Sequence, residues 1–386
     1  MADGRVELGV EGLLQAWKRS GYTELWVRFV PRPAADAADV AAEVFAAMEA
    51  ANGLFDEDDE QAGNFAFAEG PFEAPVGPRA YLACVSRTGY EPAVRDWLNA
   101  FARHLEGAGL SGKVGADTRR GDFSAWEVTK RIPLSLLTTF VAYSLLDRSR
   151  AKIDRFAWNV DQATTAAVTA LVQDTAYPGA TTALTTAGGS VQMAPGAVAA
   201  AVRRTLARDS VVFVYHARLD PPRFDRAEFN GNGWFTRVHY DPDQLWSGWL
   251  AECVETMTLA PARTDLAFAQ YAQYLGWNGI ERAVPPLPGT HVYHFRANPH
   301  LLSSFVPDAR GVMVVTDAHL ERAHDLSAWT IRPLGHGRHL VRAHDLAAWF
   351  ADPSGPDPAV LAAARQDFGR MILTVDDIAA HPAPAN

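Results

Sequence analysis

Apolar side chains alternate with polar ones near the start of the chain. Across residues 24–30, Leu25, Val27 and Phe29 take every second position, which predicts a strand with one inward face. Val40, Val44, Phe45 and Met48 then recur at helical spacing over 38–51, and residues 64–69 and 80–86 read as two further strands. Glu91 and Pro92 open a helix whose Val94, Trp97, Leu98, Phe101 and Leu105 form one stripe, with proline in the first turn, where no amide donor is missed. A short strand at 112–115 completes a β-α-β-β-α-β order.

The order returns downstream. Residues 155–160 read as a strand, and Asp161 caps a helix carrying Val168, Leu171 and Val172. Two strands, 181–186 and 190–193, flank Gly188 and Gly189, which tolerate the positive φ of a tight hairpin. A helix runs from Pro195 through Val198, Val202 and Leu206, and 210–216 forms a final strand. The predicted fold class is α+β, with two tandem ferredoxin-like (βαββαβ) units at 21–120 and 151–220. A segment at 1–20 precedes them. The apolar run at 131–148 reads as a buried connecting helix, since a membrane span needs about 20 apolar residues and this run is shorter and carries Ser and Thr hydroxyls.

Asp220, Pro221, Pro222 and the Asn-Gly-Asn-Gly run at 230–233 mark a loop and a domain boundary at 221–232. A smaller mixed α+β domain is predicted beyond it, at 233–380. It contains a strand at 234–240, a helix begun by Asp241 and Pro242, a second helix at 266–275, and strands at 291–296 and 311–316. A hairpin of 328–333 with 338–342 turns at Gly335, His336 and Gly337, and Asp357 with Pro358 starts the last helix.

Charge and composition narrow the function classes. A chain of 386 residues with 48% hydrophobic side chains has enough apolar area for more than one core. The net charge of −10, with no Lys/Arg run, argues against nucleic acid as a partner, because that affinity rests on clustered cations. Asp3, Glu7 and Glu11 stand where a signal peptide would need a basic end and an apolar core, so a cytoplasmic protein with no membrane partner is expected. Cys84 and Cys253 lie far apart in apolar stretches and read as buried thiols.

The sharpest local signal is an octapeptide, Arg-Ala-His-Asp-Leu-Ser-Ala-Trp at 322–329, returning as Arg-Ala-His-Asp-Leu-Ala-Ala-Trp at 342–349. A catalytic reading pairs His324 and His344, with Asp325 and Asp345, as an acid/base set. A structural reading makes each aspartate a cap and each tryptophan a core residue. Eight of the twelve histidines fall between His291 and His344. Of these, His336 and His339 straddle a glycine turn and are the candidate metal pair, although no thiolate accompanies them, so neither a metal nor another cofactor is expected. His239, Asp241 and Asp243 also have the residue types of a metal site, but Pro242 makes Asp241 read as a helix cap. Phosphate loops, nucleophile elbows, dinucleotide fingerprints and zinc-protease helices are absent from the sequence.

The stretch from Asp325 to Ile331, the run 340–349 and the segment 364–374 together resemble the C-terminal part of bacterial polymorphic-toxin immunity proteins. The resemblance covers the last quarter of the chain. It implies a non-enzymatic protein that neutralises a basic toxin by stoichiometric binding. The acidic run Asp56, Glu57, Asp58, Asp59 and Glu60 and the aromatic Trp246 are then the expected partner-binding residues. Two alternatives stay open: an enzyme with a histidine site in the C-terminal domain, and a small-molecule binder using the groove between the ferredoxin-like units.

Overall fold

The computed structural model describes residues 5–19, 25–32, 37–54, 67–73, 81–86, 90–116, 132–133, 135–145, 160–185, 190–193, 195–206, 211–231, 233–273 and 299–381. The protein is a mixed α+β chain built on large, mainly antiparallel sheets, and it divides into two compact units.

The first unit holds residues 1–126 and 179–205. Its sheet contains β1 (Val6–Leu8), β2 (Leu25–Pro31), β3 (Phe67–Glu73), β4 (Tyr81–Ser86) and β5 (Gly112–Ala116), in the order β1-β5-β2-β4-β3. Alternation in β2 buries Leu25, Val27 and Phe29, as their period of two requires. Three helices belong here, α1 (Val10–Arg19), α2 (Ala37–Asn52) and α3 (Glu91–Gly107). Trp97 of α3 is wholly buried and donates its indole N–H to Asn52 Oδ1 of α2 at 2.8 Å, so a polar pair ties the two helices inside an apolar contact. The segment 1–20 is part of this unit, because β1 pairs in parallel with β5. The hairpin of β7 (Thr181–Thr185) and β8 (Ser190–Met193) clusters here too, with β8 beside β3 and α2.

The second unit holds residues 127–178 and 206–386. Its strands are β6 (Ser135–Tyr143), β9 (Val211–Leu219), β10 (Pro222–Asn230), β11 (Trp234–Tyr240), β12 (Thr264–Gln273), β13 (Val312–Thr316), β14 (Trp329–Gly335) and β15 (Arg338–Ala343). They run in the order β14-β15-β13-β12-β6-β11-β10-β9. The helices are α4 (Gln162–Asp174), α6 (Trp246–Met257), α7 (Asp317–Leu320), α8 (Ala347–Phe350), α9 (Pro358–Phe368) and α10 (Val375–Ala380); α5 (Val198–Leu206) precedes β9. No helix among the described residues is long and apolar enough to cross a membrane.

Several sequence expectations are corrected. The run at 131–148 is no connecting helix: its middle is β6, between β11 and β12, and every residue from Leu136 to Tyr143 is buried. A continuous apolar run suits a strand covered on both faces, and Thr138, Thr139, Phe140 and Val141 favour the extended state. The helix expected at 266–275 is likewise strand β12, with both neighbours antiparallel. The loop and boundary expected at 221–232 are mostly β10, joined to β9 by a tight turn that leaves Leu219 and Pro222 paired. Asp161 and Asp357 do cap helices, accepting from Thr164 N at 2.9 Å and Ala359 N at 2.7 Å. The strands expected at 155–160 and 291–296 fall almost wholly outside the described residues.

Candidate functional site

Three neighbouring strands of the second unit bring charged side chains into register. Asp225 on β10 pairs with His216 on β9 and with His239 on β11, so these residues share one sheet face. Arg237, two residues before His239, faces the same way and pairs with Thr139 of β6. Two helices cover this face. Val172 of α4 accepts from His216 Nε2 at 2.7 Å, and α6 lays Glu252 and Thr256, four residues apart, over Arg237.

Asp225 is 1% exposed, and its Oδ2 accepts from Arg237 Nε and Nη2 at 3.1 and 3.0 Å and from His239 Nδ1 at 2.9 Å. Burial alone would raise its carboxyl, but the Arg237 guanidinium and His239 outweigh burial and hold it well below the usual carboxylate range. Burial pushes the His216 imidazole down and the Cys253 thiol up to about 11, so Cys253 is an apolar filler and not a thiolate nucleophile. His239 Nε2 lies 3.9 Å from Glu252 Oε2, too far for direct proton transfer.

Its outer end reaches the surface at the start of α6. Gln244 Nε2 donates to Glu252 Oε1 at 2.9 Å, folding back over Gly248, where a Cβ would sit 2.9 Å from that nitrogen. Glu252 is 34% exposed. The N-cap of α6 is Leu245, whose φ and ψ of −76° and 157° suit a capping side chain, yet leucine cannot accept from the first-turn amides. Leu245 is also 77% exposed. Trp246 beside it is half-buried and stacks on Phe350 of α8, with ring centroids 6.4 Å apart. Asp241 does not start the helix: it accepts from Asp243 N at 3.1 Å and pairs with Arg223, five residues before α6 begins. At the base, the buried atoms Asp225 Oδ1, His239 Nε2 and Trp249 Nε1 have no hydrogen-bond partner among the described residues.

The repeated octapeptides are used structurally. Asp325 accepts from Ser327 N at 2.9 Å and Asp345 from Ala348 N at 3.2 Å, each closing its own turn. Trp329 and Trp349 approach to 6.0 Å in the core, and Trp329 Nε1 donates to Asp367 Oδ2 at 3.0 Å. His324 and His344 are exposed, and no hydrogen bond among the described residues joins them. At the hairpin, His336 adopts φ of 54° at the turn, whereas His339 Nε2 binds Asp317 Oδ1 at 2.6 Å. No group of three or more His, Cys, Asp or Glu side chains among the described residues is placed to hold a metal ion. The run Asp56, Glu57, Asp58, Asp59 and Glu60 lies outside the described residues.

Sequence reasoning missed Asp225, Arg237, Glu252 and Leu245. The signal for the first two was the Asn-Gly-Asn-Gly run at 230–233, a hairpin turn with Gly233 at φ of 78°, which required a strand on both sides of it.

No family model and no curated protein matches this chain. Among solved structures, the Pseudomonas aeruginosa T6SS protein PA0821 is similar over 62% of this chain and 73% of its own, at 9% identity and a TM-score of 0.37. A Lactobacillus acidophilus NCFM structure, titled as a monooxygenase candidate, aligns over 64% of this chain and 92% of its own, at 10% identity and a TM-score of 0.17. Likenesses at these scores carry no argument about fold or activity.

Proposed function

We propose that the protein is a stoichiometric protein-binding protein, of the kind that neutralises a basic toxin, and that the start of α6 is its contact surface. Leu245 carries the reading. At that position the chain forgoes a side-chain helix cap, which stabilises by about 1 kcal/mol, and exposes a large apolar side chain to 77%, more than at Tyr90, the uncapped start of α3, which is 45% exposed. Local rules broken without compensation are expected at functional positions. The surroundings suit a basic partner. Asp241 and Asp243 lie within four residues of the apolar anchor, Trp246 adds a half-exposed aromatic, and the whole chain carries −10. The first unit fits a ferredoxin-like arrangement in chain order and strand order, and it is read here as a scaffold.

The test is Leu245→Asp, which supplies the missing cap and removes the anchor. Affinity purification from the native host, followed by titration calorimetry with whatever protein is retained in stoichiometric amount, should show at least tenfold weaker binding by the variant. A retained partner bound equally by both proteins would move the contact surface elsewhere. A chain that retains no partner would sink the reading.

A further inference from the structure

The sheet of the second unit ends on β14, which pairs with β15 alone among the described strands. One end of β14 lies against the turn Pro261–Arg263, but Thr330, Ile331, Arg332 and Pro333 are all exposed. The direction of the backbone groups follows from the next strand. Ala343 of β15 donates its N–H to Gly311, away from β14, so its pairing with Trp329 is of the non-hydrogen-bonded kind. By alternation the same holds for Ile331 and Val341. The N–H and C=O of Ile331 therefore point away from the sheet, and no described residue bonds to them. Ile331 is 41% exposed, while Pro333 offers a carbonyl but no donor.

The charge on this edge is opposite to that of the chain. Arg332 and Arg342 are exposed, stand on one face as diagonal neighbours across β14 and β15, and form no ion pair among the described residues. Ile331 and Pro333 line the other face. We infer that β14 is a docking edge for an extended acidic segment of a partner protein, which adds as a strand beside Ile331 with carboxylates toward Arg332 and Arg342 and apolar side chains toward Ile331 and Pro333. An edge guarded only against aggregation would serve with charge of either sign; the paired arginines select acidic strands.

The probes are two capped peptides of about six residues, one alternating glutamate with valine and the other lysine with valine, tested on the full chain. Saturable binding and slowed hydrogen exchange at the Ile331 amide are expected with the glutamate peptide and not with the lysine peptide. In the double variant Arg332→Glu/Arg342→Glu, checked for unchanged circular dichroism, the preference should reverse, with on the order of tenfold lost for the glutamate peptide. The inference is overturned if neither peptide protects Ile331, if both do so equally, or if charge reversal leaves the preference unchanged.

Discussion

Asp225 shows most directly how this chain handles a buried charge. Its carboxylate is compensated by Arg237 and His239, while its second oxygen has no partner among the described residues, so the network is not an optimised source of stability. Removing one member is another matter, because Asp225→Ala leaves the Arg237 guanidinium, itself 6% exposed, with only the 3.5 Å contact to Glu252 to offset its charge. The variant should lose about 3–5 kcal/mol in urea unfolding, whereas Asp325→Ala, which opens only a surface turn, should lose about 1 kcal/mol or less. Equal losses would contradict the buried network as described. Residue types alone did not separate these aspartates. His324, Asp325, His344 and Asp345 stood out because they repeat, but the repetition records two tryptophans that meet in the core. Asp225 and Arg237 lie twelve residues apart, and only the β10–β11 register joins them.

At the scale of elements, periodicity was legible where one face of an element is exposed and illegible where both are buried. β2 and α3 announce themselves by alternation and by a stripe. The apolar runs of β6 and β12 carry no clear period, and nothing opposed the helix reading except, in β6, the β-branched Thr138, Thr139 and Val141. Phe140 of β6 stacks on Phe268 of β12 with centroids 5.0 Å apart, and Phe140→Ala should cost about 3–5 kcal/mol as the signature of a central strand. A loss typical of an exposed helix position would contradict that placement. The short helix α7 depends on a capping box in which the Thr316 hydroxyl accepts from His319 N and the Thr316 amide donates to His319 Nδ1. Burial pushes the His319 imidazole down from 6.5 to about 4. A depressed pKa means that the unfolded chain binds the proton first. The stabilising contribution is therefore complete above pH 6.5 and is lost as pH falls toward 4, by on the order of 3 kcal/mol in all. Equilibrium unfolding across that window should show this slope, and His319→Gln, which keeps a capping-box residue type, should flatten it.

The whole molecule departs from a simple succession of domains. The chain leaves the second unit after residue 178, contributes residues 179–205 to the first, and returns at 206. The second ferredoxin-like unit predicted at 151–220 thus joins elements that cluster apart: α4 and β9 belong to one unit and the β7–β8 hairpin to the other. Local patterning cannot reveal such an exchange, because each element's apolar face looks the same whichever core it enters. Residues 151–220 expressed alone should give no cooperative thermal transition and little amide dispersion by NMR; a folded fragment would restore the tandem reading.

The proposed contact surface lies in the second unit, where a buried ion network rises through Glu252 and Gln244 to an uncapped helix start with an exposed leucine. The decisive measurement is partner affinity against unfolding free energy for Leu245→Asp, made on the same preparation. The account predicts a protein more stable by about 1 kcal/mol that binds its partner at least tenfold more weakly. A variant that gains the stability and binds as tightly as the native chain would contradict it.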